Sequence, residues 1–245
     1  MNFLVTQDRC KVLKKIGYST TLLTSLAKFF TGHLPTEDSM TKHFFSFLHT
    51  IPITDQELAS ISLEWNGQDA PLLIKQWLTG ARTSEECFSL AFNHHQKNCP
   101  HDSFLKKVIS ITFQPQEIKT ILAWDHTIQS LLEKLQNSNT QIGIVDNFSA
   151  DAYTAMKNTF PEKYRLINGP IILSSMEKQL KGIATYTKIL RSYSKNASVA
   201  FIDISKNYAL QKAAQITSSQ PITIMHNGNY RLLESELKKH EFIKD

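Results

Sequence analysis

An apolar run with no charged residue, Ser198 to Ile202, lies toward the C-terminus of the chain and is followed at once by Asp203. A short run of this kind, between turn-forming residues and an acid, predicts a strand buried in a parallel sheet. Ligands of open α/β sheets bind just beyond the carboxyl ends of the strands. Any site in such a fold should therefore include Asp203.

Other short apolar runs predict further strands or extended segments at Asn2–Thr6, Gln141–Val145, Leu166–Ile167, Pro170–Leu173 and Pro221–Met225. Helical patterns follow the later ones, at Ala150–Asn158, Ile183–Tyr193, Lys206–Ile216 and Tyr230–His240. This alternation predicts βαβ units and a parallel sheet covered on both faces. Asp8 and Asp146 follow the first two strands, so we expect both acids at the same edge of the sheet as Asp203.

The region from Lys11 to Asn137 shows no convincing further strand and reads as helical. Thr83 and Glu86 are spaced as a capping box, and Pro71 and Gly80 bracket another helix. The predicted helices are Thr20–Thr31, Asp38–His49, Thr54–Leu63 with Thr54 as cap, Ala70–Leu78, Thr83–His95, Asp102–Ile111 and Gln116–Leu135. Because the first strand needs the later sheet to satisfy its backbone, this helical portion is predicted to be an insertion after that strand.

Composition excludes several classes of protein. The chain has 245 residues, of which 41% are hydrophobic and 20% charged, as in ordinary globular proteins. No apolar run approaches the roughly 20 residues that span a bilayer, and the N-terminal run is too short for a signal peptide. The net charge of +5 comes without a basic run, so neither nucleic acid nor a membrane surface is an expected partner.

Cysteine usage indicates a reducing compartment. The three cysteines are widely spaced and form no CxxC pair, which argues against a disulfide framework or a zinc knuckle; they are Cys10, Cys87 and Cys99. We therefore expect a cytoplasmic location, while export by a non-cleaved route stays open. His94, His95 and His101 lie near Cys99, but adjacent histidines on a helix diverge by about 100°, so a zinc site is not favoured.

The order of these features resembles the haloacid-dehalogenase-like (HAD) superfamily, in the branch with a helical cap. Ile142–Asn147 resembles its second motif, Ile171–Ser175 followed by Lys181 its third, and Phe201–Asp203 with Asn207 its fourth. The resemblance covers residues 1–12 and 116–245. It implies a three-layer, Rossmann-like core built from those two segments, with residues 13–115 forming an all-helical cap inserted after the first strand.

The resemblance also implies roles for particular residues. In the family, an Asp at the tip of the first strand attacks phosphorus and a second Asp two residues later protonates the leaving group. A hydroxyl of the second motif and the Lys hold the transferring group, while acids of the fourth motif bind Mg²⁺. Lys181 and Asp203 keep their family identities here. Asp8 and Asp203 would be the metal ligands if Mg²⁺ binds.

This chain departs from the family pattern at three separate motifs. Thr6 stands at the nucleophile position, with Asp8 at the acid/base position. Asp146 replaces the second-motif hydroxyl and would repel an anionic substrate. Ile204 replaces the second acid of the fourth motif. If the alignment on the first motif is shifted by two residues, Asp8 takes the nucleophile position and Cys10 the second position. That alignment restores little of the family pattern.

These departures predict a HAD-like pseudoenzyme that binds a protein partner or a small phosphorylated ligand. The alternative is a divergent Mg²⁺-dependent phosphohydrolase that uses Asp8 and Asp203, and a third hypothesis is a subunit that needs a partner chain. Structural roles also remain open: Asp146 and Asp203 could each cap the following helix, Asp8 could only end its strand, and Lys181 could be an ion-pair partner.

Overall fold

A computed structural model describes residues 2–6, 37–65, 68–117, 126–193, 197–203, 207–225 and 229–243. These residues form two compact units. The first comprises residues 2–6, 126–147 and 160–243, and the second comprises residues 37–117 and 148–159, each with the gaps just given. The predicted division into a core (1–12 and 116–245) and a cap (13–115) stays a prediction.

The described strands, in chain order, are β1 (Asn2–Thr6), β2 (Glu64–Trp65), β3 (Gln68–Asp69), β4 (Gln141–Asp146), β5 (Ile171–Leu173), β6 (Val199–Asp203) and β7 (Ile222–Met225). The helices are α1 (Glu37–His49), α2 (Gln56–Ala59), α3 (Leu72–Leu78), α4 (Ser84–Asn98), α5 (Ser103–Phe113), α6 (His126–Asn137), α7 (Ala150–Thr159), α8 (Pro161–Tyr164), α9 (Ser174–Glu177), α10 (Ile183–Ser192), α11 (Tyr208–Thr217) and α12 (Tyr230–Lys239).

The first unit contains a five-stranded sheet in the order β5-β4-β1-β6-β7, and each neighbouring pair is parallel. The predicted strands at Asn2–Thr6, Gln141–Val145, Ser198–Ile202 and Pro221–Met225 are therefore confirmed to within a residue or two. The chain moves outward from β1 through β4 to β5, then returns to the other side of β1 with β6. The strand order thus reverses beside β1, which makes a topological switch point.

Two apolar clusters pack around this sheet. Along β6, Val199 and Phe201 belong to one cluster, which includes α10 and α11. Ala200 and Ile202 belong to the other, which includes α6, α12 and the buried Phe242. Successive side chains of a strand point to opposite faces, so β6 contributes to both clusters because it is buried on both sides. This accounts for the continuous apolar run in the sequence.

The start of β4 is held by the segment that leads into β5. The Ile142 amide donates to Asn168 Oδ1 at 2.7 Å, and the Gly169 amide donates to the Ile142 carbonyl at 2.7 Å. A Cβ atom added to Gly169 would lie 2.9 Å from the Ile142 carbonyl carbon and oxygen. Only glycine allows this approach of the two backbones.

We expect Gly169→Ala to lower the free energy of unfolding by about 1–3 kcal/mol, because the backbone of β4 must shift to admit a methyl group. Gly182→Ala is the matched control, since its added Cβ would meet only the Leu180 carbonyl at 3.8 Å. Because Gly182 is the N-cap of α10, where Gly is preferred to Ala, that control should cost no more than about 1 kcal/mol. Urea denaturation of both variants measures the difference, and equal stabilities would contradict this account of Gly169.

The second unit is mainly helical. The capping box at Thr83 is present: the Glu86 amide donates to Thr83 Oγ1 at 3.2 Å and the Thr83 amide donates to Glu86 Oε2 at 2.7 Å. Trp77 is fully buried and packs edge-on against Phe113, with ring centroids 5.2 Å apart. The ring contact joins α3 to α5, and the capping box fixes the start of α4.

Some sequence predictions were wrong in detail. The short helix near Thr54 is capped by Asp55, whose side chain accepts from the Leu58 amide, and it ends at Ala59. Leu166 lies in a turn after α8, an element that was not predicted. The hairpin of β2 and β3 was also missed, because two-residue strands carry no alternation signal. The dipeptide Asn66-Gly67 between them was the available clue, since it favours tight hairpins.

Part of the predicted helical region lies outside the described residues: all of Thr20–Thr31 and residues 118–125 of Gln116–Leu135. Among the described residues, no helix is both long enough and apolar enough to cross a membrane.

A buried lysine anchors the hairpin to α3. The side chain of Lys75 is 2% exposed, and its Nζ lies 3.0 Å from Oδ2 of Asp69, whose side chain is 55% exposed. The other Asp69 oxygen accepts from the Leu63 amide at 3.2 Å. The carboxylate thus offsets the cost of burying the ammonium and holds the end of β3 in place.

We expect Asp69→Asn to destabilise the chain by about 1–3 kcal/mol, because it leaves a buried ammonium without its ion pair. Adding Lys75→Met should recover part of that loss, since an apolar side chain has no charge to compensate. Urea denaturation of the single and double variants gives the comparison. A double variant less stable than Asp69→Asn alone would show that the ammonium is not the source of the loss.

Candidate functional site at the carboxyl edge of the sheet

Three strands deliver predicted site residues to one edge of the sheet. β1 ends at Thr6, β4 at Asp146 and β6 at Asp203. Thr6 is in register with Val145, so Asp146 lies one residue beyond it on the neighbouring strand. Val5 of β1 pairs with Ile202 of β6, and Thr6 and Asp203 are the residues that follow them on their own strands. The backbones at these positions therefore meet beside the switch point, where α/β sheets bind ligands.

The structure gives only the backbone positions of Thr6 and Asp203, and Asp8 lies outside the described residues. The backbone places Asp203 within β6, one step beyond the last buried residue of the apolar run. The predicted catalytic or metal-binding roles of these three residues remain predictions.

Asp146 and Lys181 are far apart in sequence but close in space. The Lys181 Nζ lies 4.0 Å from Asp146 Oδ1, with side-chain exposures of 15% and 4% respectively. This distance is that of an ion pair and is too long for a direct hydrogen bond. The sequence analysis placed Asp146 at the carboxyl edge and named Lys181 as a possible ion-pair partner, and the structure brings their charged groups together.

Asn147 holds the backbone that carries Lys181. Its Oδ1 accepts from the Lys181 amide at 2.6 Å, which ties the end of β4 to the segment before α10. The next residue, Gly182, donates its amide to Thr185 Oγ1 at 3.3 Å at the start of that helix. These contacts fix the backbone from which the Lys181 side chain extends.

Residues other than Asp146 and Asp203 accept from the first amides of the two helices that follow. Near the start of α7, Ser149 Oγ accepts from the Ala152 amide at 3.2 Å. The N-cap of α11 is Asn207, whose Oδ1 accepts from the Leu210 amide at 2.9 Å. Helix capping therefore explains neither acid.

Asn207 also has a second structural contact. Its Nδ2 donates to the Tyr186 hydroxyl at 2.7 Å, and the fully buried Tyr186 ring packs edge-on against Phe201 at 5.5 Å. The amide of Asn207 thus links α10, α11 and β6. In the resemblance described above this residue belongs to the fourth motif, yet both atoms of its amide have local structural partners.

A polar network in the second unit was not predicted. Asp151 accepts from the Ser149 hydroxyl, from the Ser84 amide at 3.1 Å and from the Ala152 amide at 2.9 Å. Trp77 Nε1 donates to Ser84 Oγ at 2.7 Å. Burial raises the pKa of Asp151, but hydrogen bonds from Ser149, Ser84 and Ala152 outweigh it, so the pKa falls below its usual value of 3.8.

This lowered pKa predicts an acid-sensitive contribution to stability. Because the folded pKa lies below the unfolded value of 3.8, the contribution is complete above that pH and is lost as the pH falls through the folded pKa. We expect Asp151→Asn to cost about 1–3 kcal/mol near neutral pH, the usual value of charged hydrogen bonds. Urea denaturation of both proteins from neutral to acidic pH should show that difference shrinking below the carboxyl's usual pKa; a constant difference would contradict this assignment.

His94 and His95 in the second unit are engaged in structural contacts. His94 Nε2 lies 2.8 Å from Thr50 Oγ1, and His95 Nε2 lies 2.7 Å from the Asp102 carbonyl. Burial and the nearby Asp102 raise the pKa of the Cys99 thiol, which disfavours a metal-binding thiolate. In the part of the chain that the structure describes, no three His, Cys, Asp or Glu side chains are grouped to hold a metal.

The magnesium site predicted at the carboxyl edge of the sheet would use Asp8 and Asp203 as ligands. Mg²⁺ takes oxygen ligands from carboxylates. Asp146 is the one predicted acid whose side chain is described there, and its carboxylate faces an ammonium. Magnesium binding by Asp8 and Asp203 therefore stays a prediction.

No family model matches the sequence, and no curated protein matches it significantly. One similar solved structure is a HAD family enzyme from Bacteroides thetaiotaomicron in complex with magnesium and inorganic phosphate, at 14% identity over 93% of this chain and 94% of that chain, with a TM-score of 0.49. An aspartate-to-alanine variant of that enzyme, with the same ligands, coverage and identity, has a TM-score of 0.47. At these values the similarity by itself assigns neither a family nor a ligand to this chain.

Proposed function

We propose that this chain is a HAD-like pseudoenzyme, which binds a small ligand or a protein partner and has no aspartyl-phosphate hydrolase activity. The proposal includes a three-layer, Rossmann-like core with a helical cap. Two features support that architecture: the parallel order with its reversal beside β1, and the alternation of β6 side chains between two apolar clusters. Most of the mainly helical second unit, residues 37–117 with the gap given above, lies between β1 and β4 in the chain.

The ion pair of Asp146 and Lys181 is the observation that carries the functional proposal. A carboxylate 4.0 Å from the ammonium already compensates its charge. Two unit charges about 4 Å apart interact by about 4 kcal/mol at an effective dielectric constant near 20. That is about the whole standard binding free energy of a ligand with millimolar affinity. A phosphate group that binds Lys181 must therefore share its ammonium with Asp146 and face the negative charge of that carboxylate.

The end of β1 supports the same conclusion. Aspartyl-phosphate chemistry needs a carboxylate nucleophile, and the last residue of β1 is Thr6. A threonine hydroxyl is a weak nucleophile unless a neighbouring base removes its proton. In the proposed alignment, Thr6 replaces the nucleophilic Asp of the family, and Asp146 replaces the hydroxyl beside the phosphate.

An assay with p-nitrophenyl phosphate and Mg²⁺ tests this function directly. We expect no turnover above background, and no change on Asp203→Asn or Asp8→Asn. Glu85→Gln, an exposed substitution in the second unit, controls for contaminating phosphatases because any background should persist in it unchanged. Turnover that Asp8→Asn or Asp203→Asn abolishes, but Glu85→Gln leaves intact, would refute the pseudoenzyme.

That refuting outcome would support a second candidate, a divergent Mg²⁺-dependent phosphohydrolase that uses Asp8 and Asp203. The observation that favours it is that Asp203 ends β6 at the switch point while Asn207 caps α11, so capping does not explain this acid. Thermal unfolding adds an independent readout, because a ligand that binds the native state raises its stability. Under the second candidate, Mg²⁺ should raise the Tm of the wild-type chain and not that of Asp203→Asn.

A further inference from the structure

The outer side of β7 is an open edge of the sheet. β7 is the last strand beyond β6, and no other strand of the described residues pairs with its outer side. Natural proteins protect such edges with charged residues, prolines or bulges in the strand. Ile222–Met225 has no charged residue and no proline, although Pro221 precedes it, and Met225 is 51% exposed. The strand itself therefore carries no device against pairing with a further strand.

On one face of the sheet, α12 presents an apolar residue on the side of this edge. Lys134 of α6 lies 2.7 Å from Glu234, so α6 is on the Glu234 side of α12. Leu232 is two residues from Glu234, which places it about 200° around the helix and away from α6. Because α6 packs on β4 and α12 packs on β7, the side away from α6 is the side of the open edge. Leu232 is 49% exposed there.

On the other face of the sheet, α11 has the same arrangement. Asn207 at its start donates to Tyr186 of α10 at 2.7 Å. Ile216 follows Asn207 by nine residues, about 180° around the helix, so it lies on the side of α11 away from α10. α10 shares its apolar cluster with Val145 of β4, so this is again the side of the β7 edge. Ile216 is 57% exposed.

We propose that this edge is the interface of a homodimer, in which β7 pairs antiparallel with β7 of a second copy and the two sheets become one. A two-fold axis is the commonest symmetry of soluble homo-oligomers, and it brings the same patch of both copies together. With the axis perpendicular to the sheet, α12 lies beside its own copy on one face and α11 beside its own copy on the other. The exposed Leu232 and Ile216 are then covered, and the outer backbone groups of β7 gain partners.

The charges on α12 favour a second copy over an unrelated partner. Glu236 and Lys239 lie about 200° and about 140° around the helix from Glu234, on the same side as Leu232. Glu236 Oε2 is 3.4 Å from Lys239 Nζ, and the two side chains are 35% and 66% exposed. The proposed axis makes the two copies of α12 antiparallel, so the acid of each copy is brought toward the base of the other. A partner of one charge would instead meet both signs.

Sedimentation velocity over a range of protein concentrations tests the homodimer. We expect the wild-type chain to dimerise, and Leu232→Glu or Ile216→Glu to raise the dimer Kd at least about tenfold, because each places a carboxylate in an apolar contact. Met176→Glu is the matched control and should leave the Kd unchanged. Met176 is 51% exposed on α9, which follows β5 at the opposite edge of the sheet. Circular dichroism checks that each variant keeps the fold of the wild type.

A charge exchange tests the two-fold arrangement itself. Lys239→Glu places like charges across the interface and should raise the dimer Kd about threefold or more. Combining it with Glu236→Lys restores opposite charges between the copies, so the double variant should return to within about twofold of the wild-type Kd.

Three results would overturn the proposal. They are a wild-type chain that stays monomeric at all accessible concentrations, a dimer that Met176→Glu weakens as much as Leu232→Glu does, and a double charge variant as weak as Lys239→Glu alone. Assemblies that grow beyond the dimer would also overturn it, because they indicate a head-to-tail contact that does not close. The oligomeric state is independent of turnover, so this proposal and the proposed function can each fail without the other.

Discussion

The parallel pairing of β1 with two strands from distant parts of the sequence is the interaction on which the rest of the first unit depends. Asn2 to Thr6 pair with β4 on one side, and Asn2 to Val5 pair with β6 on the other. A lone strand cannot satisfy its backbone groups, whereas a central strand in a parallel sheet satisfies them on both sides. This pairing places the switch point next to the end of β1, and the candidate site follows from that position.

The same geometry explains why charged groups collect at one edge of an otherwise apolar sheet. Parallel strands all end on the same side, so residues that follow apolar runs meet there even when they are far apart in sequence. Asp146 lies there because it ends β4, and Lys181 meets it because Asn147 holds the backbone of the segment before α10. The pair combines burial with opposite charges, and such a pair resists the loss of either partner more than it stabilises the fold.

Much of the fold was predictable because the signals are local. The continuous apolar run of β6, the capping box at Thr83 and the helix that ends at His49 were all found from spacing alone. The errors occurred where two local solutions were nearly equivalent. Thr54 and Asp55 are both good N-cap residues, and only the actual path of the chain selects Asp55. The hairpin of β2 and β3 was not predicted because its strands are only two residues long, although the dipeptide Asn66-Gly67 in the sequence favours a tight turn there.

The sequence by itself determined which segments are strands and helices and which acids follow the strands, because those properties depend on neighbours within a few residues. Only the tertiary structure decided which distant groups face each other: that Lys181 lies by Asp146, that Asn207 holds Tyr186, and that Asp151 lies by Ser84. Strand order and register bring these residues together, and both arise from packing between segments that are far apart along the chain.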